Sequence, residues 1–389
     1  MQRSTAIWAA SLLGAMWGTA WLQAQEPSSE VPWRKALDQL LAVGPHAAGH
    51  DEAARAWQVV ARGDAGQLPV LLAALDEAGP LPANWIRAAI DAIAERTLRE
   101  GGKLPVEALE RFVLDRSHAP RARRLAFEWL AEADATARQR LVPGFLFDPS
   151  VELRRDAVTR LLDEADRQPQ SPEGKARKLA LYREAFSGAR DQDQVDLIAQ
   201  FLQEAGDTVD LPAHWGFIVR WQVIGPFDNT GGRGFAAVYP PEKQIDLTAS
   251  YPGKVGVVAW KEHTTSDSYG KIDLNAALGK HMGAAGYAYH EFISDAPRDV
   301  EIRVTSLCAV KVWVNGRLVM EHEVYHSGSR LDQYVAPAKL RAGSNAIVVK
   351  CCQNEQTEPW AQDWQFQLRV CDAAGTAVLS VDRQKAQQP

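Results

Sequence analysis

Cysteine is scarce in this chain, with four residues in 389, all between Cys308 and Cys371. So few thiols exclude a small disulfide-dense scaffold, and without a C-x-x-C-H motif covalent c-type haem is excluded too. Positive charge is not in excess: 43 Lys and Arg stand against 49 Asp and Glu, a net charge of −6. Binding a phosphate backbone needs a basic stripe that releases counterions, so nucleic acid is not expected as a partner. There is no G-x-S-x-G elbow, no phosphate-cradling glycine loop before a helix and no D-x-D-x-D-G calcium loop. The motifs that most legibly announce acyl transfer, nucleotide binding or EF-hand calcium are therefore missing. Paired carboxylates for glycoside hydrolysis leave no such motif, because what matters is their separation in space.

The composition, 46% apolar and 24% charged, is that of a globular chain of two or three domains with ordinary cores. Residues 1–24 differ: Arg3 precedes an uncharged run that ends in small residues, and Glu26-Pro27-Ser28-Ser29 follows. Charged start, apolar run and small residues at the cut are the pattern of a secretory signal peptide. The expectation is an exported protein, periplasmic, envelope-associated or secreted. The alternative is an uncleaved anchor, since the run is just long enough to span a bilayer. In such a compartment disulfides persist. Cys351 and Cys352 are adjacent on an expected strand and face opposite ways, so at most one of them reaches a given partner. Buried thiols and one disulfide both stay open.

From Trp33 to about Ala205 the sequence repeats with a period near three dozen residues. Leu68-Pro69-Val70-Leu71, Leu104-Pro105-Val106-Glu107 and Leu141-Val142-Pro143-Gly144 open successive units, with proline where a first helical turn tolerates it. Each unit continues into a second helix carrying Arg87, Arg124 or Arg155, with Ala89, Ala126 or Ala157 two residues on. The arginines are read as helix-to-helix ladders. Helix, turn, helix at this period is the pattern of stacked repeats that bury their apolar faces only against neighbours. The segment resembles HEAT repeats, best at DPSVELRRDAV (148–158), and this resemblance implies an α-solenoid over 30–208 that holds a protein partner.

Past the linker at Leu211-Pro212-Ala213-His214-Trp215, the pattern changes to short alternating runs. Strands are expected near 255–261, 285–294, 299–306, 309–314, 317–322, 345–352 and 363–371, with Asn315-Gly316 as a two-residue type I′ hairpin turn. This rhythm predicts an antiparallel β-sandwich of jelly-roll type over 215–381, then a disordered tail at 382–389. VKVWVNGRLV, LRAGSNAIVVK and WQFQLRVCDAAG resemble the galactose-binding-like sandwiches of secreted bacterial proteins. The resemblance implies a glycan or a structural calcium held on loops at one end. Sugar recognition wants an aromatic ring beside fixed polar groups, and the loop 353–363 offers Trp360 with Asn354, Glu355 and Asp363. Trp360 folding back as a lid is the competing reading. Asp228 and Asn229 offer oxygen ligands to calcium, or cap their own turn.

His322-Glu323-Val324-Tyr325-His326 matches H-E-x-x-H, the zinc hydrolase motif. That chemistry needs a helix, so that both imidazoles meet one metal. Here the segment follows a hairpin and precedes Ser327-Gly328-Ser329, and as extended chain it separates the histidines by about 13 Å. The sequence therefore predicts a non-enzymatic protein without cofactor, built as a multidomain α plus β chain. Its solenoid would bind protein and its sandwich carbohydrate. The alternatives are a purely structural interaction module with no glycan ligand, and a zinc hydrolase.

Overall fold

The computed structural model describes residues 30–46 and 48–386, so the expected signal peptide, residues 1–24, lies outside the described residues. The chain forms two compact units, the first ending at Ala133 and the second beginning at Asp134. Among the described residues no helix is long and apolar enough to cross a membrane.

The first unit holds α1 (Glu30–Leu41), α2 (His50–Val60), α3 (Leu68–Ala74), α4 (Pro80–Arg99), α5 (Val106–Leu114) and α6 (Pro120–Ala133). They pack as successive pairs, α1 on α2, α3 on α4 and α5 on α6. The apolar stripe that the repeat requires is buried, with Ile86, Ala89, Ile90 and Ile93 of α4 and Leu125, Ala126 and Leu130 of α6 in the core. Arg87 of α4 reaches Glu128 of α6 at 3.5 Å, so it links one pair to the next. Two arginines that the periodicity did not single out close helix ends. Arg96 donates to the carbonyls of Ala61 and Gly63, and Arg121 to those of Leu75 (3.0 Å) and Ala78. Both satisfy carbonyls that a helix leaves without an internal partner at its C-terminus.

The second unit opens with α7 (Ala137–Leu141), α8 (Val151–Asp166), α9 (Pro172–Gly188), α10 (Gln192–Glu204) and α11 (Leu211–Trp215). Ser150 and Ser171 cap α8 and α9 by accepting from Leu153 N and Gly174 N. Arg155 of α8 grips Asp193 of α10 with both Nη atoms, at 2.8 and 2.6 Å.

Twelve strands follow among the described residues: β1 (Arg220–Asp228), β2 (Ser250–Pro252), β3 (Val257–Ala259), β4 (Lys261–Thr264), β5 (Ile272–Asp273), β6 (Ala284–Ser294), β7 (Arg298–Ser306), β8 (Ala309–Val314), β9 (Arg317–His322), β10 (Tyr334–Leu340), β11 (Gly343–Gln353) and β12 (Gln365–Cys371). One antiparallel sheet runs β4-β1-β6-β11-β8-β9 and another β10-β7-β12-β5. Ile302, Val304, Leu368 and Val370 of the smaller sheet share one core with Val310, Val312, Ile347 and Val349 of the larger, so the sheets form a sandwich. A second apolar layer covers the larger sheet's other face, where Phe227, Tyr287 and Cys352 pack under Phe235 and Val258. The described chain is thus mixed α and β, helical from Glu30 to about residue 215 and mainly antiparallel β beyond. Val381–Ala386, within the stretch expected as tail, is a short helix.

Candidate functional site

Strands β1, β9 and β11 end, and β6 begins, at one edge of the larger sheet, because Asp228 and Gln353 both pair with Ala284 and His322 pairs with Val310 beside them. The three loops leaving those ends are therefore neighbours. Asn229 is their hub: fully buried, it donates through its backbone N–H to Gly283 O (2.7 Å) and through Nδ2 to Gln353 O (2.9 Å) and Tyr325 Oη (3.1 Å). Its Oδ1 is buried without a hydrogen-bond partner. Such close approach needs glycine opposite, since a Cβ on Gly234 would lie 2.2 Å from Asp228 O.

The loop after β11 is fastened along its length. Gly283 N–H donates to Asn354 O (2.7 Å), the backbone N–H of Gly231 to Glu355 Oε1, and Gln353 Nε2 to Ala361 O (2.8 Å). Asn354 Oδ1 accepts from Gln356 N–H (3.1 Å) and lies 3.0 Å from His326 Nε2. The His326 ring meets Trp360 edge-on, with centroids 5.2 Å apart and planes at 81°. Trp360 stays 63% exposed, so it does not close over the sandwich as a lid. Asp363 is exposed, at the end of the same loop. Burial pushes the Tyr325 hydroxyl up to about 12, so it stays protonated throughout the neutral range.

Asp228 and Asn229, expected as calcium ligands, diverge. Asp228 is exposed; hydrogen bonds from Thr230 and the Lys254 ammonium hold its carboxyl below the usual range. Lys254 Nζ lies among Asp228 Oδ1 (3.2 Å), Thr230 Oγ1 (3.1 Å), Met282 O (2.9 Å) and Gly283 O (2.5 Å). These oxygens already surround a cation, and calcium there would have to displace the ammonium. Sequence reasoning passed over Lys254, Tyr325 and His326 as partners of the Trp360 loop. The last two lay inside the tempting H-E-x-x-H motif.

That motif is not helical. His322 ends β9 and stacks on Tyr334, with centroids 3.9 Å apart, whereas His326 turns to Asn354 and Trp360. Among the described residues no group of three His, Cys, Asp or Glu side chains is placed to hold a metal. At the opposite ends of β1 and β6 lies a cavity of about 340 Å³, lined by Phe217, Ile218, Phe292, Val378 and His290. Its exposed wall is mostly apolar, and Arg220, His290, Ser380, Asp382 and Arg383 also line it.

No protein-family model and no curated protein matches this sequence. Solved structures similar to it include an FMN-binding β-glucuronidase from Faecalibacterium prausnitzii L2-6, at 15% identity and TM-score 0.21 over 39% of this chain and 21% of that one. A β-glucosidase from Kluyveromyces marxianus matches at 8% identity and TM-score 0.26 over 80% of this chain and 38% of that one. This chain thus spans well under half the length of either. The expectation of a non-enzymatic binding or scaffold protein is corrected by these findings: the similar chains are glycosidases, and the exclusion of an enzyme is withdrawn. The physical reason is that a carboxylate pair acts through its spatial separation, so a sequence without a catalytic motif excludes no glycoside chemistry. A likeness of this degree assigns no activity to the chain.

Proposed function

We propose that this is an exported carbohydrate-recognising protein whose sandwich, of galactose-binding-like kind, takes a sugar at the loop end around Trp360, behind a run of HEAT-like repeats. One observation carries the reading: an indole 63% exposed stands on a loop whose backbone and polar side chains are fixed by hydrogen bonds from two neighbouring loops. A pyranose presents a face of C–H groups to such a ring and its hydroxyls to amides and carboxylates nearby. Asn354, Gln356, Glu355 and Asp363 are the groups within the same loop. Hydrogen bonds hold Asn354, Glu355 and Gln356 before a ligand arrives, which lowers the ordering cost of binding a small, polar ligand.

The test is a glycan array on the full chain, followed by calorimetry with the best ligand. Trp360→Ala is expected to weaken binding at least tenfold, or roughly 1.4 kcal/mol, while the thermal midpoint stays put because the ring is exposed. Absence of any glycan ligand, or equal affinity of the variant, overturns the proposal. Aryl glycosides added to the same protein read whether hydrolysis accompanies binding.

A further inference from the structure

The four cysteines are all buried thiols, but they are not equivalent. Cys352 faces the outer layer with Tyr287 and Phe227, while Cys351 faces the inner core together with Cys308. Cys371, on the smaller sheet, lies outside both of these layers and its Sγ is directed at Glu301 O. Cys308 stands in the two-residue turn between β7 and β8, off the regular ladder, where its backbone N–H donates to Ser306 Oγ (3.1 Å). The same Ser306 Oγ lies 3.9 Å from Cys351 Sγ, so one hydroxyl adjoins both cysteines on the inner face of the larger sheet. Cys308 Sγ also donates to Asp363 O (3.1 Å) and Gln353 Oε1 (3.3 Å), so it sits under both ends of the Trp360 loop.

We infer that Cys308 and Cys351 are a disulfide-forming pair, joined when the chain folds in an oxidising compartment, and that Cys352 and Cys371 remain thiols. The oxidant is a disulfide of another molecule. The thiolate of Cys308 attacks one of its sulfurs and releases the first thiol; the Cys351 thiolate then attacks the Cys308 sulfur and releases the second. Two electrons leave the pair, and its two protons end on the released thiols. Since both sulfurs are buried in the folded chain, exchange takes place during folding or opening of the sandwich. The bridge ties the β7–β8 turn, which lies under both ends of the Trp360 loop, covalently to β11 two residues before that strand ends.

The full chain is equilibrated with a mixture of oxidised and reduced glutathione in mild denaturant, returned to native buffer, then denatured and alkylated without reductant. Intact mass is expected to show two alkylated cysteines, and peptide mapping a link between Cys308 and Cys351. Cys308→Ser is expected to show three alkylated cysteines and no link. Four alkylated cysteines in the parent chain overturn the inference, as does glutathione adducts alone, a link through Cys352 or Cys371, or a surviving link in the variant. None of these readings depends on whether a sugar binds.

Discussion

Lys350 carries its charge at a side chain with no exposure at all, and its ammonium finds Glu242 Oε1 at 2.8 Å, Ala237 O at 2.6 Å and Phe235 O at 3.1 Å. Tyr287 donates its hydroxyl to the same carboxylate. Burial and that carboxylate together push the Tyr287 phenol far above its ordinary range, and burial takes the neighbouring Cys352 thiol up to about 12. The group fastens the 235–242 segment to the larger sheet. Removing one member of such a pair strands the other charge in a dry environment, which costs several kcal/mol, whereas an apolar replacement of both is nearly neutral. Lys350→Met is therefore expected to lose about 3–5 kcal/mol in urea unfolding, and Lys350→Met with Glu242→Leu and Tyr287→Phe, which leaves no buried donor unpaired, to recover most of that loss. Equal stability of the single variant and the parent would show that the charge is not held as described.

At the scale of elements, the β8–β9 hairpin shows local chemistry and tertiary context acting together. Asn315 and Gly316 take φ of 53° and 79°, as a type I′ turn requires. Asn315 also exchanges hydrogen bonds with the next strand, from its Nδ2 to Asn345 Oδ1 (2.8 Å) and from Ala346 N–H to its Oδ1 (3.0 Å). Gly316→Ala is expected to cost about 1 kcal/mol through positive φ alone. Asn315→Ala is expected to cost about 2 kcal/mol, because the buried Asn345 loses a partner as well. Chemical denaturation ranks the two, and the opposite order would assign the turn's stability to glycine alone. The strand β10 escaped sequence reading because Pro337 lies in it; the proline is tolerated at the edge of the smaller sheet, where one side of the ladder needs no donor. The H-E-x-x-H segment illustrates the converse: a string of residues suits zinc only on a helix, and a preceding hairpin strand denies it one.

At the scale of the second unit, the helices meet the sandwich through α11 and β12. Arg369, almost wholly buried, holds Asp332 through two bonds and donates to Trp215 O (3.0 Å). Beside it His214 stacks on Phe186 of α9 at 4.1 Å and places Nε2 3.0 Å from Ala189 O. Burial, reinforced by the Arg190 guanidinium, depresses the His214 pKa from 6.5 to about 4. The folded state thus prefers the neutral ring, and between these two values the unfolded chain binds the extra proton. Stability from this group is complete above pH 6.5 and falls as pH drops toward 4, by up to about 3 kcal/mol. His214→Gln is expected to flatten that part of the pH profile of the thermal midpoint. An unchanged slope would place the acid sensitivity elsewhere.

How much was legible from sequence follows from the range of the forces involved. Periodicity, proline at first turns and the Asn-Gly turn act within a few residues, so the helical first half, the antiparallel second half and the strands β6 to β9, β11 and β12 could be placed from the chain alone. Trp360, Asn354 and Glu355 could be named together because they share one loop. That Asp228, Asn229, Tyr325, His326 and Lys254 belong beside them was decided by sheet register, which brings residues more than a hundred positions apart to one edge. The same register gave Cys351 rather than Cys352 the inner face shared with Cys308. Local sequence specifies which way each residue tends to bend the chain; only the packed sheets determine which loops become neighbours, because that depends on strand pairing over long separations.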